Sequence, residues 1–104
     1  MIRVERRPQF LLDLAEELTW LDDHAGPEVA ERWSQALKRS VQFLEQTPHA
    51  GRLRSDLTPV GIRSWRVKGF PRWLIFYRAS QDGEIVLLRI RTGDMDLPAL
   101  PMTG

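Results

Sequence analysis

Arg63, Arg66, Arg72, Arg78, Arg89 and Arg91 all fall between Gly61 and Leu97, with Lys68 among them. The arginine side chain is a planar fork of N–H donors that grips carboxylate or phosphate through paired hydrogen bonds. A segment carrying so many of them is suited to meeting something anionic. Bond-making chemistry would also need an acid and a base, and the candidates are few. Lys68 could serve as a base if its surroundings lowered its pKa. His24 and His49 flank the second helix, and Tyr77 is the only tyrosine. Asp94 and Asp96 look like a metal-binding pair, but with no third carboxylate or histidine nearby in sequence a turn role is expected. The absence of cysteine excludes disulfides, thiol catalysis and thiolate zinc sites.

The elements that would carry these residues can be read from periodicity. Gly61 to Leu97 reads as three strands with turns at Gly69–Arg72 and at Asp82-Gly83. In the last strand Val86, Leu88 and Ile90 alternate with Ile85, Leu87, Arg89 and Arg91. The first set is expected under the helices. The second, apolar then cationic, forms an open face that a partner covers. Tyr77 shares a face with Trp73 and Ile75, which favours packing or a buried hydroxyl contact.

Ahead of these strands, Ile2 to Arg6 alternates like a short strand. Pro8 can open a helix whose stripe is Phe10, Leu11, Leu14, Leu18 and Leu21, with Leu12 and Trp20 off it. Asp22–Gly26 breaks that helix. Pro27 then opens a second, lined by Val29, Ala30, Trp33, Ala36, Leu37, Val41 and Leu44, which stops at Thr47-Pro48. So short a link predicts an antiparallel helical hairpin. Residues 48–61 read as a loop. Trp33, Trp65 and Trp73 are expected in the core and Trp20 at the surface. The expected class is α+β in the order β-α-α-β-β-β, one domain over residues 1–104 with 93–104 an extended C-terminal segment.

Net charge is +1, but its two halves differ. Residues 1–50 hold six Lys/Arg against nine Asp/Glu, and residues 51–104 hold nine against five. Such asymmetry bears on partners rather than on fold. No apolar run is long enough to span a bilayer and no signal peptide is evident, so a cytoplasmic protein is expected.

Three stretches then carry a resemblance: FLEQTPHAGRLRSDL, with its helix followed by Pro-x-x-Gly; GIRSWRVKGFPRWLIFYR; and EIVLLRIRTGDMDLP. In this order they resemble the RelE/ParE superfamily of toxins from type II toxin–antitoxin systems, over nearly the whole chain and most closely the ParE branch. That resemblance implies a toxin that inhibits DNA gyrase by binding, without a cofactor, and is neutralised by a ParD-like antitoxin. DNA contact is expected only with the antitoxin at an operator. The resemblance and the patterns together nominate Leu12, Trp20, Arg63, Arg66, Arg78, Leu87, Arg89 and Arg91 for the antitoxin, and Arg91, Asp94, Met95 and Leu97 for the target. For Arg63 a salt bridge to Asp56 or Asp94 is the competing role. The other branch implies a ribosome-dependent mRNA endonuclease. Arg63, Arg66, Lys68, Arg89 and Arg91 could hold its phosphate, but no acid–base pair is obvious. Thr92 stands where many relatives show histidine. A non-toxic antitoxin binder is the third possibility.

Overall fold

The computed structural model describes residues 4–57, 59–93 and 102. The chain runs β1 (Val4–Arg6), α1 (Pro8–Ala25), α2 (Pro27–Gln46), β2 (Arg52–Leu53), β3 (Arg63–Val67), β4 (Phe70–Ala79) and β5 (Ile85–Thr92). The strands form one sheet ordered β1-β5-β4-β3-β2, antiparallel except where β1 runs parallel to β5. The α+β class and the helical hairpin are as expected. The additional strand is β2, two residues within the stretch read as loop.

Both helices begin with proline, whose missing N–H would have had no partner in the first turn. Helix α1 continues through Asp22 and Asp23 to Ala25, past the break read from sequence. Gly26, at φ +94°, makes the corner and donates its N–H to Leu21 O at 3.0 Å. A side chain there would be strained, so a single residue can reverse the chain. Thr47 closes α2, its N–H and hydroxyl both donating to Phe43 O.

The stripe of α2 is buried as its spacing predicts: Ala30, Trp33, Ala36, Leu37, Val41 and Leu44, joined by Ser40. Helix α1 differs. Its buried residues are Phe10, Asp13, Glu17 and Leu21, while Leu11 is exposed. Two carboxylates therefore sit in the stripe.

Strand β4 is buried on both faces. Trp73, Ile75 and Tyr77 pack under the helices with Ile85, Leu87 and Ile90. Leu74 and Phe76 belong to a second cluster with Leu57, Ile62, Leu88 and Met102, against which Val86 packs. This corrects the reading of β5 in two ways. Between Phe76/Tyr77 the register shifts, so that Tyr77 opposes Leu87 while Phe76 opposes Arg89. A bulge adds one residue and reverses the alternation beyond it. Hence Ile85, Leu87 and Ile90 face the helices, whereas Val86 and Leu88 do not. The far face of the sheet is also covered, by Leu57, Ile62 and Met102 of this same chain.

Candidate functional site

The nominated arginines divide into those that hold the fold and those at the surface. Arg89 opposes Phe76 across the ladder, yet its guanidinium reaches α1. Its Nε donates to Asp13 Oδ2 at 2.6 Å and its Nη2 to Asp13 Oδ1 at 3.1 Å, a two-pronged pair. Both side chains are buried, with Asp13 at 0% exposure. The Ile90 N–H donates to Asp13 Oδ2 at 3.1 Å as well. Strand β1 pairs with β5 only as far as Leu87. Beyond that point a carboxylate from α1 takes over the work of an edge strand.

Arg91 extends the seam. Its Nη1 donates to Glu16 Oε2 at 3.0 Å and lies 3.7 Å from Glu17 Oε1. Glu17 in turn accepts from Trp73 Nε1 at 3.1 Å. Breaking a buried pair by removing one partner typically costs about 3–5 kcal/mol, because the other charge is stranded. The seam thus fixes the end of β5.

A second assembly gathers residues that the sequence reading left apart. The lone Tyr77 is fully buried. Its hydroxyl donates to Pro48 O at 2.9 Å and accepts from the Gly51 N–H at 2.8 Å. Arg63 Nη1 donates to Gly51 O at 2.8 Å and to His49 O at 3.1 Å. A Cβ on Gly51 would lie 2.7 Å from Tyr77 Cε1 and closer still to the hydroxyl, so a glycine is required at this close approach. Pro-x-x-Gly, the strand arginine and the strand tyrosine are therefore one clasp that ties the chain after α2 to the sheet. Burial raises the Tyr77 pKa, and the Gly51 N–H and the Arg63 charge oppose that rise only in part. Arg63 does pin the loop, but through carbonyls. The partner of Asp56 is Arg54, whose Nε and Nη2 donate to it at 2.9 and 2.7 Å. That hydrogen-bonded pair lowers the Asp56 pKa and raises that of Arg54.

The remaining nominated residues lie at the surface or outside the described residues. Leu12 and Trp20 are exposed on α1, and Trp20 stacks on His24 with ring centroids 4.5 Å apart. Arg66 is exposed and donates from Nη1 to Pro71 O; Arg78 is exposed too. Trp33 and Trp73 are in the core as expected, but Trp65 is only half-buried, stacked on exposed Phe43 at 5.0 Å. Leu87, fully buried, and Arg89 offer no surface in this structure. Asp94, Met95 and Leu97 lie outside the described residues. Asp13 and Glu17 were missed in the sequence. Their signal was that they share a helical face with Phe10 and Leu21, with arginines available to match them.

Comparison with known proteins follows this architecture. A family model described as "ParE toxin of type II toxin-antitoxin system, parDE" matches residues 4–97. Among curated proteins none matches the chain. A solved structure titled "Chromosomal ParDE TA system from P. aeruginosa" is similar in fold, with a TM-score of 0.71 at 23% sequence identity. That similarity covers 88% of this chain and 96% of the other. A match over residues 4–97 takes in both helices and every strand, and the chain accordingly belongs to the ParE toxin family of type II toxin–antitoxin systems.

Proposed function

We propose that this toxin acts in the cytoplasm by binding DNA gyrase, with no bond-making chemistry of its own, and that a ParD-like antitoxin neutralises it. The observation that carries the binding reading is the engagement of the groups that phosphate chemistry would draw on. The Arg89 and Arg91 guanidiniums are held by Asp13, Glu16 and Glu17, and the Tyr77 hydroxyl is held between Pro48 and Gly51. A tyrosine whose pKa is raised by burial is also a poor source of the phenolate a base would need. Family membership supports gyrase as the target and an antitoxin as the partner.

Leu12 and Trp20 present exposed apolar side chains on α1 for the antitoxin, and Arg66 and Arg78 offer exposed cations to an acidic segment. An antitoxin segment that orders on contact would suit this spread-out surface. Leu87 and Arg89 support that surface from within rather than touching the partner, Arg63 acts through the clasp, Arg91 anchors the end of β5, and Asp94, Met95 and Leu97 are the residues proposed to reach gyrase.

The test is a gyrase reaction on plasmid DNA with ATP and antitoxin-free protein. Loss of supercoiling with accumulation of cleaved DNA, reversed by a ParD-like partner, is the expected result. Normal supercoiling at saturating toxin would overturn the reading and redirect it to mRNA cleavage on the ribosome.

A further inference from the structure

Helix α2 and strand β3 leave a groove between them, about 650 Å³ in volume. Arg39, Ser40 and Phe43 line one wall, and Trp65, Arg66 and Lys68 the other. The walls are tied together at Ser40, whose hydroxyl donates to Ala36 O at 2.8 Å and accepts from the Lys68 N–H at 3.4 Å. The groove is thus preformed, at a size common for small-ligand sites.

Its chemistry is of two kinds. Phe43 stacks on Trp65 with ring centroids 5.0 Å apart and an interplanar angle of 21°. That contact uses one face of the Phe43 ring, and the residue is still 44% exposed. Arg39, Arg66 and Lys68 stand around the pair, all of them exposed. No acidic side chain lines the groove among the described residues, whereas buried Arg89 has Asp13 beside it.

We propose that this groove binds single-stranded DNA, with one base continuing the Phe43–Trp65 stack and the flanking phosphates among Arg39, Arg66 and Lys68. An exposed ring calls for a flat apolar face and the cations call for anions, and a nucleotide carries both. Every base has such a face, so the site reads no sequence. The bases of a duplex are stacked on one another and cannot reach Phe43, so the strand must be single. An acidic peptide would satisfy the cations but leave the ring face unused. A second copy of this chain would bring the same cations face to face. The inference deepens the gyrase reading and rests on it for the source of the strand, DNA opened by the enzyme. It departs from the expectation that DNA is met only with the antitoxin at an operator.

The test uses purified antitoxin-free toxin and fluorescein-labelled oligothymidylate, read by fluorescence anisotropy. Binding should weaken steeply with added salt, as phosphate contacts do. A duplex of equal length, and an abasic strand of equal charge, should each bind more weakly by about fivefold or more. Arg39→Glu and Lys68→Glu, both at exposed positions, should each weaken binding by about tenfold. Lys38→Glu makes the same charge change in the groove between α1 and α2, and should alter affinity by less than about twofold. Phe43→Ala should weaken it by about fivefold or more, with Phe43→Tyr restoring it. Circular dichroism should be unchanged in every variant. A strand carrying 5-iododeoxyuridine should photo-crosslink to Phe43 or Trp65.

The proposal is overturned if oligothymidylate does not bind, if the duplex or the abasic strand binds equally well, or if the crosslinks map elsewhere. It is also overturned if a peptide alternating Glu and Leu binds through Arg39, Phe43 and Lys68 and the oligonucleotide does not. Gyrase supercoiling with unmodified toxin is read in parallel. Inhibition without oligothymidylate binding overturns this inference alone, and binding without inhibition overturns the gyrase reading while the groove keeps its assignment.

Discussion

Two groups of arginines in this toxin do opposite jobs. Arg89 and Arg91 on β5 turn back to α1, where Asp13, Glu16 and Glu17 meet them. Arg52 and Arg66, on the opposite side of the sheet, stay at the surface beside a stretch of β3 that no strand pairs among the described residues. In the sequence Arg89 and Arg66 look alike, each an arginine among the apolar residues of an expected strand. What separates them is whether an acid from a distant element arrives. Asp13 lies 76 positions before Arg89. Arginine density therefore does not measure available charge, and it is the β2–β3 group, with exposed Arg78 of β4, that is placed to attract an anionic partner.

The largest effect should come from breaking the buried group. Asp13→Ala takes the buried carboxylate from Arg89 and leaves the Ile90 N–H without its acceptor, and should cost about 3–5 kcal/mol of unfolding free energy by chemical denaturation. Next comes the clasp. Gly51→Ala forces a methyl group into the Tyr77 ring and should cost about 1–3 kcal/mol, with Tyr77→Phe similar through its two lost hydrogen bonds.

The clasp also carries a pH dependence. The folded-state pKa of Tyr77 lies above the ordinary 10.0, so the neutral hydroxyl is the form that folding favours. Its contribution is intact below that ordinary value and is lost as pH rises through the folded one. Tyrosinate absorbance from this lone tyrosine should appear together with alkaline unfolding, and Tyr77→Phe should remove that link.

At the surface, Trp20→Ala should weaken antitoxin binding by about 2 kcal/mol or more in calorimetry, the scale of a central aromatic contact. The smallest stability change belongs to Arg78→Ala, within about 0.5 kcal/mol, since no packing is lost at an exposed site. Any shift in antitoxin affinity there would show up without a change in fold.

Much of this architecture could be read before any coordinates. The face of α2 follows from its spacing, and Gly83 sits at positive φ in the expected second turn; the first turn falls at Lys68-Gly69 instead, so that Phe70, Pro71 and Arg72, read as turn, open β4. The buried hydroxyl of Tyr77 was anticipated from its neighbours Trp73 and Ile75. The β5 faces were not, because a bulge leaves no mark on an alternating pattern. Ile85, Leu87 and Ile90 became one face only through the register shift against β4. The outer face looked open because its cover, Leu57, Ile62 and Met102, comes from segments without periodicity. Asp13 and Glu17 were missed because a carboxylate is expected in water unless a cation meets it, and that match is made only by folding.

The claim that Arg89 holds the fold rather than touching a partner is tested most directly by a double-mutant cycle. Arg89→Met, Asp13→Leu and the two combined should be measured by denaturant unfolding, with gyrase supercoiling alongside. Each single change should lose several kcal/mol, about 3–5. The combined variant should recover most of that loss, apart from the unpaired Ile90 N–H, and regain gyrase inhibition with its fold. Arg89→Met of undiminished stability with gyrase inhibition abolished would contradict the account, and make Arg89 a contact in its own right.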